Sequence, residues 1–228
     1  MPTACSLEPD LRFRYLVLRE LDWDPEVNAR GIDVATSGGT VTLTGVIDSC
    51  AGKRAAECAA KRLRGVHEVV NHLVVQPTTP RIDAELAHDA AEALASAAPL
   101  PASLHVTARN GVLVLTGSVE WLFQRELAER LAANVRGVLD VRNEISVEPP
   151  SACVDTRRHI VRALHQLATL DARRIEVSVQ DRIVTLTGMV RSWTEREAAE
   201  QAAARTEGVT RVVNQIAVHS EPADDEIA

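Results

Sequence analysis

Apolar and polar positions alternate along this chain in a pattern that is written three times. Ile32 and Val34 are followed by Val41 and Leu43, Leu104 and Val106 by Leu113 and Leu115, and Ile175 and Val177 by Val184 and Leu186. A period of two is that of strands with one face inward. Between the two runs of each pair stand Ser37-Gly38-Gly39, Arg109-Asn110-Gly111 or Gln180-Asp181-Arg182, turn-forming segments that predict a β-hairpin each time. Downstream, the period changes. Ala-rich segments dotted with Glu and Arg at 51–64, 123–136 and 194–207 predict helices, each with a glycine at its stop. Alternation then returns through Val69, Asn71, Leu73 and Val75, through Val141, Asn143, Ile145 and Val147, and through Val212, Asn214, Ile216 and Val218. This third strand, reached by a helical crossover, should pair parallel to the hairpin. An earlier helix precedes each hairpin, with Asp10, Asp83 or Asp155 expected at its amino end.

Three landmarks fix the period of the repeat: Gly45, Gly117 and Gly188 close the hairpins, Gly65, Gly137 and Gly208 end the second helices, and Asn71, Asn143 and Asn214 sit on the third strands. The spacing between copies is 72 and then 71 residues at all three landmarks, so the unit is a domain and not a short solenoid repeat. The expected fold class is α+β, as three tandem α-β-β-α-β modules, each a three-stranded mixed sheet with two helices on one face. Gln76-Pro77-Thr78-Thr79-Pro80 and Glu148-Pro149-Pro150-Ser151 mark the boundaries, because proline cannot continue a ladder. The modules are therefore expected at 1–78, 79–149 and 150–220, with an acidic tail at 221–228.

With 228 residues shared among three units, each core is small, and an aromatic content of 3% leaves Ala, Val and Leu to fill it. Net charge is −7, distributed as −1 over 1–78, −4 over 79–149 and −2 over 150–228 with the acidic tail included. No module is basic enough to advertise nucleic acid, and attraction to an anionic membrane would have to rest on a local patch. The first residues carry no basic segment followed by an apolar run, and no stretch approaches the roughly 18 apolar residues of a membrane span, so a cytoplasmic location is expected. Cys50 and Cys58 lie about 12 Å apart along a helix, too far to bridge; reduced thiols are expected for these and for Cys5 and Cys153.

A module of this order, with Val41-Thr42-Leu43-Thr44-Gly45 or Val184-Thr185-Leu186-Thr187-Gly188 closing the hairpin and G-V-x-x-V-x-N-x-[IL]-x-V closing the unit, resembles the BON domain (bacterial OsmY and nodulation). The resemblance runs over nearly the whole chain, three times. It implies a non-enzymatic module that binds phospholipid surfaces and is tied to envelope integrity or osmotic stress.

The signature residues have structural reasons to be there. A glycine between strand and helix serves backbone angle or close packing, and a buried asparagine must find partners, here expected in the preceding turn. Lys53 and Glu57, Arg125 and Glu129, and Arg196 and Glu200 stand four apart on the second helices, which predicts exposed salt bridges of about 0.2–0.5 kcal/mol.

The copies differ elsewhere. The second helix of the first module carries Lys53, Arg54, Lys61, Arg62 and Arg64 against Glu57 alone within that helix, which makes it the candidate contact for anionic lipid. Trp121-Leu122-Phe123 and Trp193 stand just after the hairpin glycine as candidates for insertion into a membrane interface or partner groove. Burial in a core or between modules is the more ordinary use of such a cluster, and Trp23 is read the same way. Val70, Val74, Val112, Val114, Ile183 and Val213 fall on the sheet faces that helices leave open, which predicts contacts between modules or between chains. No histidine has companions at metal-ligand spacing, no catalytic or phosphate-binding motif is present, and the G-x-x-G loop of KH-type RNA modules is missing, so no cofactor, metal or nucleic acid is expected. The resemblance, with these candidate surfaces, thus implies a binding protein for phospholipid surfaces or envelope-linked partners in an osmotic-type stress response. The alternative is an interaction scaffold or small-ligand sensor without lipid affinity.

Overall fold

The computed structural model describes residues 7–63, 65–79, 81–149, 156–167 and 174–218, with side chains from residue 10 onward. Arg64, Cys5, Cys153, Asp155 and the acidic tail lie outside the described residues. The first module runs α1 (Leu7–Trp23), β1 (Ile32–Ser37), β2 (Thr40–Ile47), α2 (Cys50–Arg62), β3 (Glu68–Asn71) and β4 (Val74–Val75). The second repeats this as α3 (Asp83–Ala95), β5 (His105–Arg109), β6 (Val112–Thr116), β7 (Ser118–Val119), α4 (Leu122–Ala133), β8 (Asp140–Asn143) and β9 (Ser146–Val147). The third is α5 (Thr156–Gln166), β10 (Ile175–Gln180), β11 (Ile183–Val190), α6 (Trp193–Ala204) and β12 (Arg211–Val218). The fold is α+β with a mixed sheet in every repeat: β1, β5 and β10 pair antiparallel with β2, β6 and β11, and β3, β8 and β12 pair parallel with the same central strands.

The described residues up to Thr78 form one compact unit and those from Thr79 to Val218 another. In the first, Val17 and Leu21 of α1 and Ala56, Ala59 and Ala60 of α2 are fully buried over Val41 and Leu43 of the sheet. In the second unit Leu86, Ala90 and Leu94 of α3 and Ala128 and Ala132 of α4 cover Leu113 and Leu115, and Ile160, Leu164, Ala199 and Ala203 cover Val184 and Leu186. These are the light aliphatic cores that the scarcity of aromatics implies.

All three hairpins turn through two residues at positive φ: Gly38 and Gly39, Asn110 and Gly111, and Asp181 and Arg182. That geometry is the one whose twist matches the flanking strands. At the end of the hairpin, Gly45, Gly117 and Gly188 take φ of 113°, 121° and 129°, and a Cβ there would collide with the carbonyl oxygens of Gly31, Ser103 and Arg174. The repeated T-L-T-G glycine is therefore fixed both by its backbone angle and by the chain that passes over it.

Three details depart from expectation. The second helices begin one residue earlier than 51, 123 and 194 and stop at Arg62, Ala133 and Ala204, ahead of the glycines. The third strand of the first two modules is written in two pieces, separated at residues 72–73 and 144–145, while β12 runs unbroken. Asp83 opens α3, but its carboxylate does not cap that helix; both oxygens accept hydrogen bonds at 2.8 Å from the backbone N–H groups of Asn110 and Gly111, so the acid ties the helix to the hairpin turn.

Candidate functional site

One polar network recurs in all three modules. The Asn71 side-chain amide donates to the carbonyl of Lys53 at 3.0 Å and to Glu57 at 3.3 Å, and its oxygen accepts from the N–H of Leu73 at 3.2 Å. Asn143 does the same with Arg125, Glu129 and Ile145, and Asn214 with Arg196, Glu200 and Ile216. The asparagine therefore rivets the third strand to the second helix, not to the preceding turn. Its amide meets the helix at a carbonyl and at a carboxylate one turn on, which uses all the donors and an acceptor of one short side chain.

The residues expected to form i,i+4 salt bridges on the second helices are drawn into this network. Glu57, Glu129 and Glu200 are held by asparagine, and Arg125 and Arg196 turn to donate to the carbonyls of Asn143 and Asn214 at 3.2 and 2.9 Å. The ion pair that Glu57 makes is with Lys61, at 2.6 Å. Burial works against the Glu57 charge, but the hydrogen bond and charge of Lys61 and the Asn71 amide outweigh it and hold the carboxyl below its usual range.

The basic helix of the first module is less basic in its surroundings than along its own length. Arg62 pairs with Glu20 of α1 at 3.1 Å and with Asp24, the residue just past the end of α1, and Lys61 is engaged by Glu57. The expectation of a surface opposed by Glu57 alone is therefore corrected: acids 38 and 42 residues away in sequence face it. Arg54 is exposed and Lys53 half-buried.

The aromatic candidates are anchored. Leu122 is buried, Phe123 is half-buried beside Trp121 with ring centroids 6.1 Å apart, and Trp193 lies half-buried under the Arg196 guanidinium at 4.6 Å. Trp121 occupies the amino cap of α4 where the other modules use Ser49 and Ser192; Gln124 takes over, accepting from the N–H groups of Glu120 and Trp121. Of the open sheet faces, Val70, Val112, Val114, Ile183 and Val213 are half-buried and Val74 is exposed.

Exposed apolar side chains also line the first helix, where the sequence had drawn attention to Trp23 alone. Along α1, Leu11 is 60% exposed, Tyr15 60%, Leu16 41% and Trp23 79%. Trp23, expected to pack inward, is the most exposed large hydrophobic residue of those described. Leu11, Tyr15, Arg19 and Trp23 follow at four-residue steps, so they share a face that drifts slowly round the helix, opposite the buried Val17 and Leu21. Arg12 and Arg19 are exposed on the same face, with the Arg19 guanidinium 6.0 Å from the Tyr15 ring. Arg62 engages Glu20 and Asp24, and among the described side chains of α1 the exposed acid is Asp22. The signal was present in the sequence as a second apolar row on α1, out of phase with the core row.

Among the described residues, no group of three or more His, Cys, Asp or Glu side chains is placed to hold a metal ion, and no helix is long and apolar enough to cross a membrane.

The sequence profile of the BON domain matches residues 13–77, 82–149 and 154–220. No curated protein matches the chain. Two solved structures of CdsD, a structural protein of the type III secretion system of Chlamydia trachomatis, overlap it at 15% and 14% identity. They cover 91% and 90% of this chain and 92% and 96% of their own, with TM-scores of 0.27 and 0.26. Superpositions this loose decide nothing about arrangement or function.

Proposed function

Starting from the fact that this chain belongs to the BON domain family, by a match in each of its three repeats, we propose that it is a non-enzymatic binding protein that associates peripherally with phospholipid surfaces. The family's ties to phospholipid and to stress-related proteins support the class of ligand, and an envelope or osmotic stress setting follows from the same ties. The observation that carries the reading to a place on the molecule is the outward face of α1. Tyr15 and Trp23 present amphipathic rings, Leu11 and Leu16 present aliphatic area, and Arg12 and Arg19 present charge that an anionic headgroup can pair with. Exposed aromatic and aliphatic residues interleaved with arginine are the composition of a helix that lies in the interfacial plane of a bilayer. A single helix of 17 residues binds weakly on its own; linked modules raise the effective concentration of any further contact.

Co-sedimentation of the full chain with vesicles of phosphatidylcholine, with and without phosphatidylglycerol, tests this. Binding should require the anionic lipid, weaken as salt is raised, and drop sharply in the double variant Tyr15→Ala, Trp23→Ala. Neutralising Lys53, Arg54 and Lys61 should change it less. No sedimentation with either vesicle would overturn the lipid reading and leave the same Tyr, Trp and Arg side chains as a protein-docking surface, a composition also typical of interface hot spots.

A further inference from the structure

The first helices of the three modules can be laid on one another by their buried rows: Val17 and Leu21 of α1, Leu86 and Ala90 of α3, Ile160 and Leu164 of α5. Counted from those rows, the outward positions held by Tyr15 and Arg19 on α1 carry Ala84 and His88 on α3, and Arg158 and Arg162 on α5. The place of Leu16 goes to His159, and that of Asp22 to His165. All four of these α5 side chains are exposed. Arg158, Arg162 and His165 follow at steps of four and three residues, so they stand in one row along the helix.

No acid of the same helix answers them. Thr156–Gln166 contains neither Asp nor Glu, and the elements packed against α5 are α6 and β10. On β10 the buried Ile175 and Val177 face the helices, which sends Glu176 to the other side of the sheet. On α6, Glu195 accepts from the backbone N–H of Arg191 and Glu200 is held by Asn214, which leaves Glu197 as the exposed acid of that helix. The first module differs at this point too. Where α1 offers Glu20 to Arg62 of α2, the matching position of α5 is Ala163. None of the described α5 residues presents an exposed large hydrophobic side chain. Its outward face is charge without apolar area.

We propose that this face of α5 is a second lipid contact made by charge alone, in which Arg158 and Arg162 meet the phosphates of anionic headgroups without inserting. The inference rests on the reading that the chain associates with phospholipid surfaces, and it assigns a separate role to the third module. A row of cations with no apolar anchor fits a flat layer of anionic groups, because protein partners are gripped by buried aromatic and apolar anchors. Arginines near an anionic leaflet strengthen binding one by one and act within a Debye length. Insertion then belongs to α1, while α5 adds to the demand for anionic lipid and to the sensitivity to salt.

Co-sedimentation of the full chain with vesicles of phosphatidylcholine and phosphatidylglycerol, read over a salt series, tests the assignment. Arg158→Gln with Arg162→Gln should weaken binding at low salt by about tenfold or more and flatten its salt dependence. Arg130→Gln with Arg136→Gln, which removes the same charge from exposed positions of the second module, should bind as wild type. Arg162→Glu alone should weaken binding in the same direction, with circular dichroism checking the fold of each variant. Wild-type binding that changes equally in the two double variants overturns this inference and leaves the α1 reading standing. Absence of wild-type binding to either lipid overturns both. If Arg158→Gln with Arg162→Gln binds vesicles as wild type yet loses retention on poly-L-glutamate, the face belongs to an acidic protein segment and the lipid assignment is overturned.

Discussion

The first helices of the first two modules, α1 and α3, do the same work on one side and opposite work on the other. Inward they are equivalents: Val17 and Leu21 of α1, and Leu86, Ala90 and Leu94 of α3, are buried against their sheets. Outward, α3 shows Ala84, Glu85, His88, Ala91 and Glu92, small or polar residues that ask for nothing but water. The corresponding surface of α1 shows Leu11, Tyr15, Leu16 and Trp23 among arginines. One fold thus carries two surfaces, and the inward pattern that defines the module is silent about which surface will be found. Similarity between repeats locates the scaffold; dissimilarity on an exposed face marks the surface proposed for binding.

If the inward faces are truly equivalent, cutting a core side chain from either helix must hurt alike. Leu21→Ala and Leu86→Ala, both at fully buried positions, should each cost about 2–5 kcal/mol of stability, read by denaturant unfolding. A cost confined to one of them would break the comparison at its base.

The asparagine rivet offers a finer version of the same test. Asn71→Ala, Asn143→Ala and Asn214→Ala each strand a helix carbonyl and a strand N–H, and each should cost about 1–3 kcal/mol. The three losses should be similar although the helix residue contributing the carbonyl is Lys53 in one module and Arg125 or Arg196 in the others. Vesicle binding should survive Asn143→Ala and Asn214→Ala in conditions where the protein remains folded, since the rivet is scaffold.

Smaller effects separate the modules by pH. Water is partly withdrawn from Asp24, which alone would raise its carboxyl, but the Arg62 side chain and the N–H of Glu26 outweigh that and lower it. Glu57 is lowered in the same sense. Groups lowered on folding contribute stability that is fully present above the ordinary carboxylate range and is lost as pH falls through their depressed values. Acidification below pH 4 should therefore weaken the first module, and Arg62→Met should remove part of that pH dependence in a thermal melt. Glu126 on α4 is shifted in the opposite sense, raised by partial loss of water and by the charges of Glu200 and Glu129.

Much of this architecture could be read in the residues. Alternation, a two-residue turn and a glycine whose Cβ would strike a passing carbonyl are local facts, and local facts leave local marks in a sequence. What could not be read depends on partners far along the chain. Asn71 reaches Lys53 and Glu57 at separations of 18 and 14 residues, and Arg62 reaches Asp24 at 38. A helical wheel of α2 alone shows a basic stripe because acids that answer it sit on α1 and just past its end. Trp23 misled for another reason: large aromatics usually bury, and its exposure departs from that rule. Such departures are where a structure adds most to a sequence.

The central claim is that the outward face of α1 meets a lipid surface, and the Trp23 indole can report on it directly. In the full chain with Trp121→Phe and Trp193→Phe, Trp23 is the only tryptophan left. On addition of vesicles containing phosphatidylglycerol its emission should shift to the blue and be quenched by lipids brominated near the headgroup end of their chains. Emission that stays at the wavelength of water-exposed indole, with no quenching, while the protein co-sediments with those vesicles, would place the contact elsewhere and contradict the account.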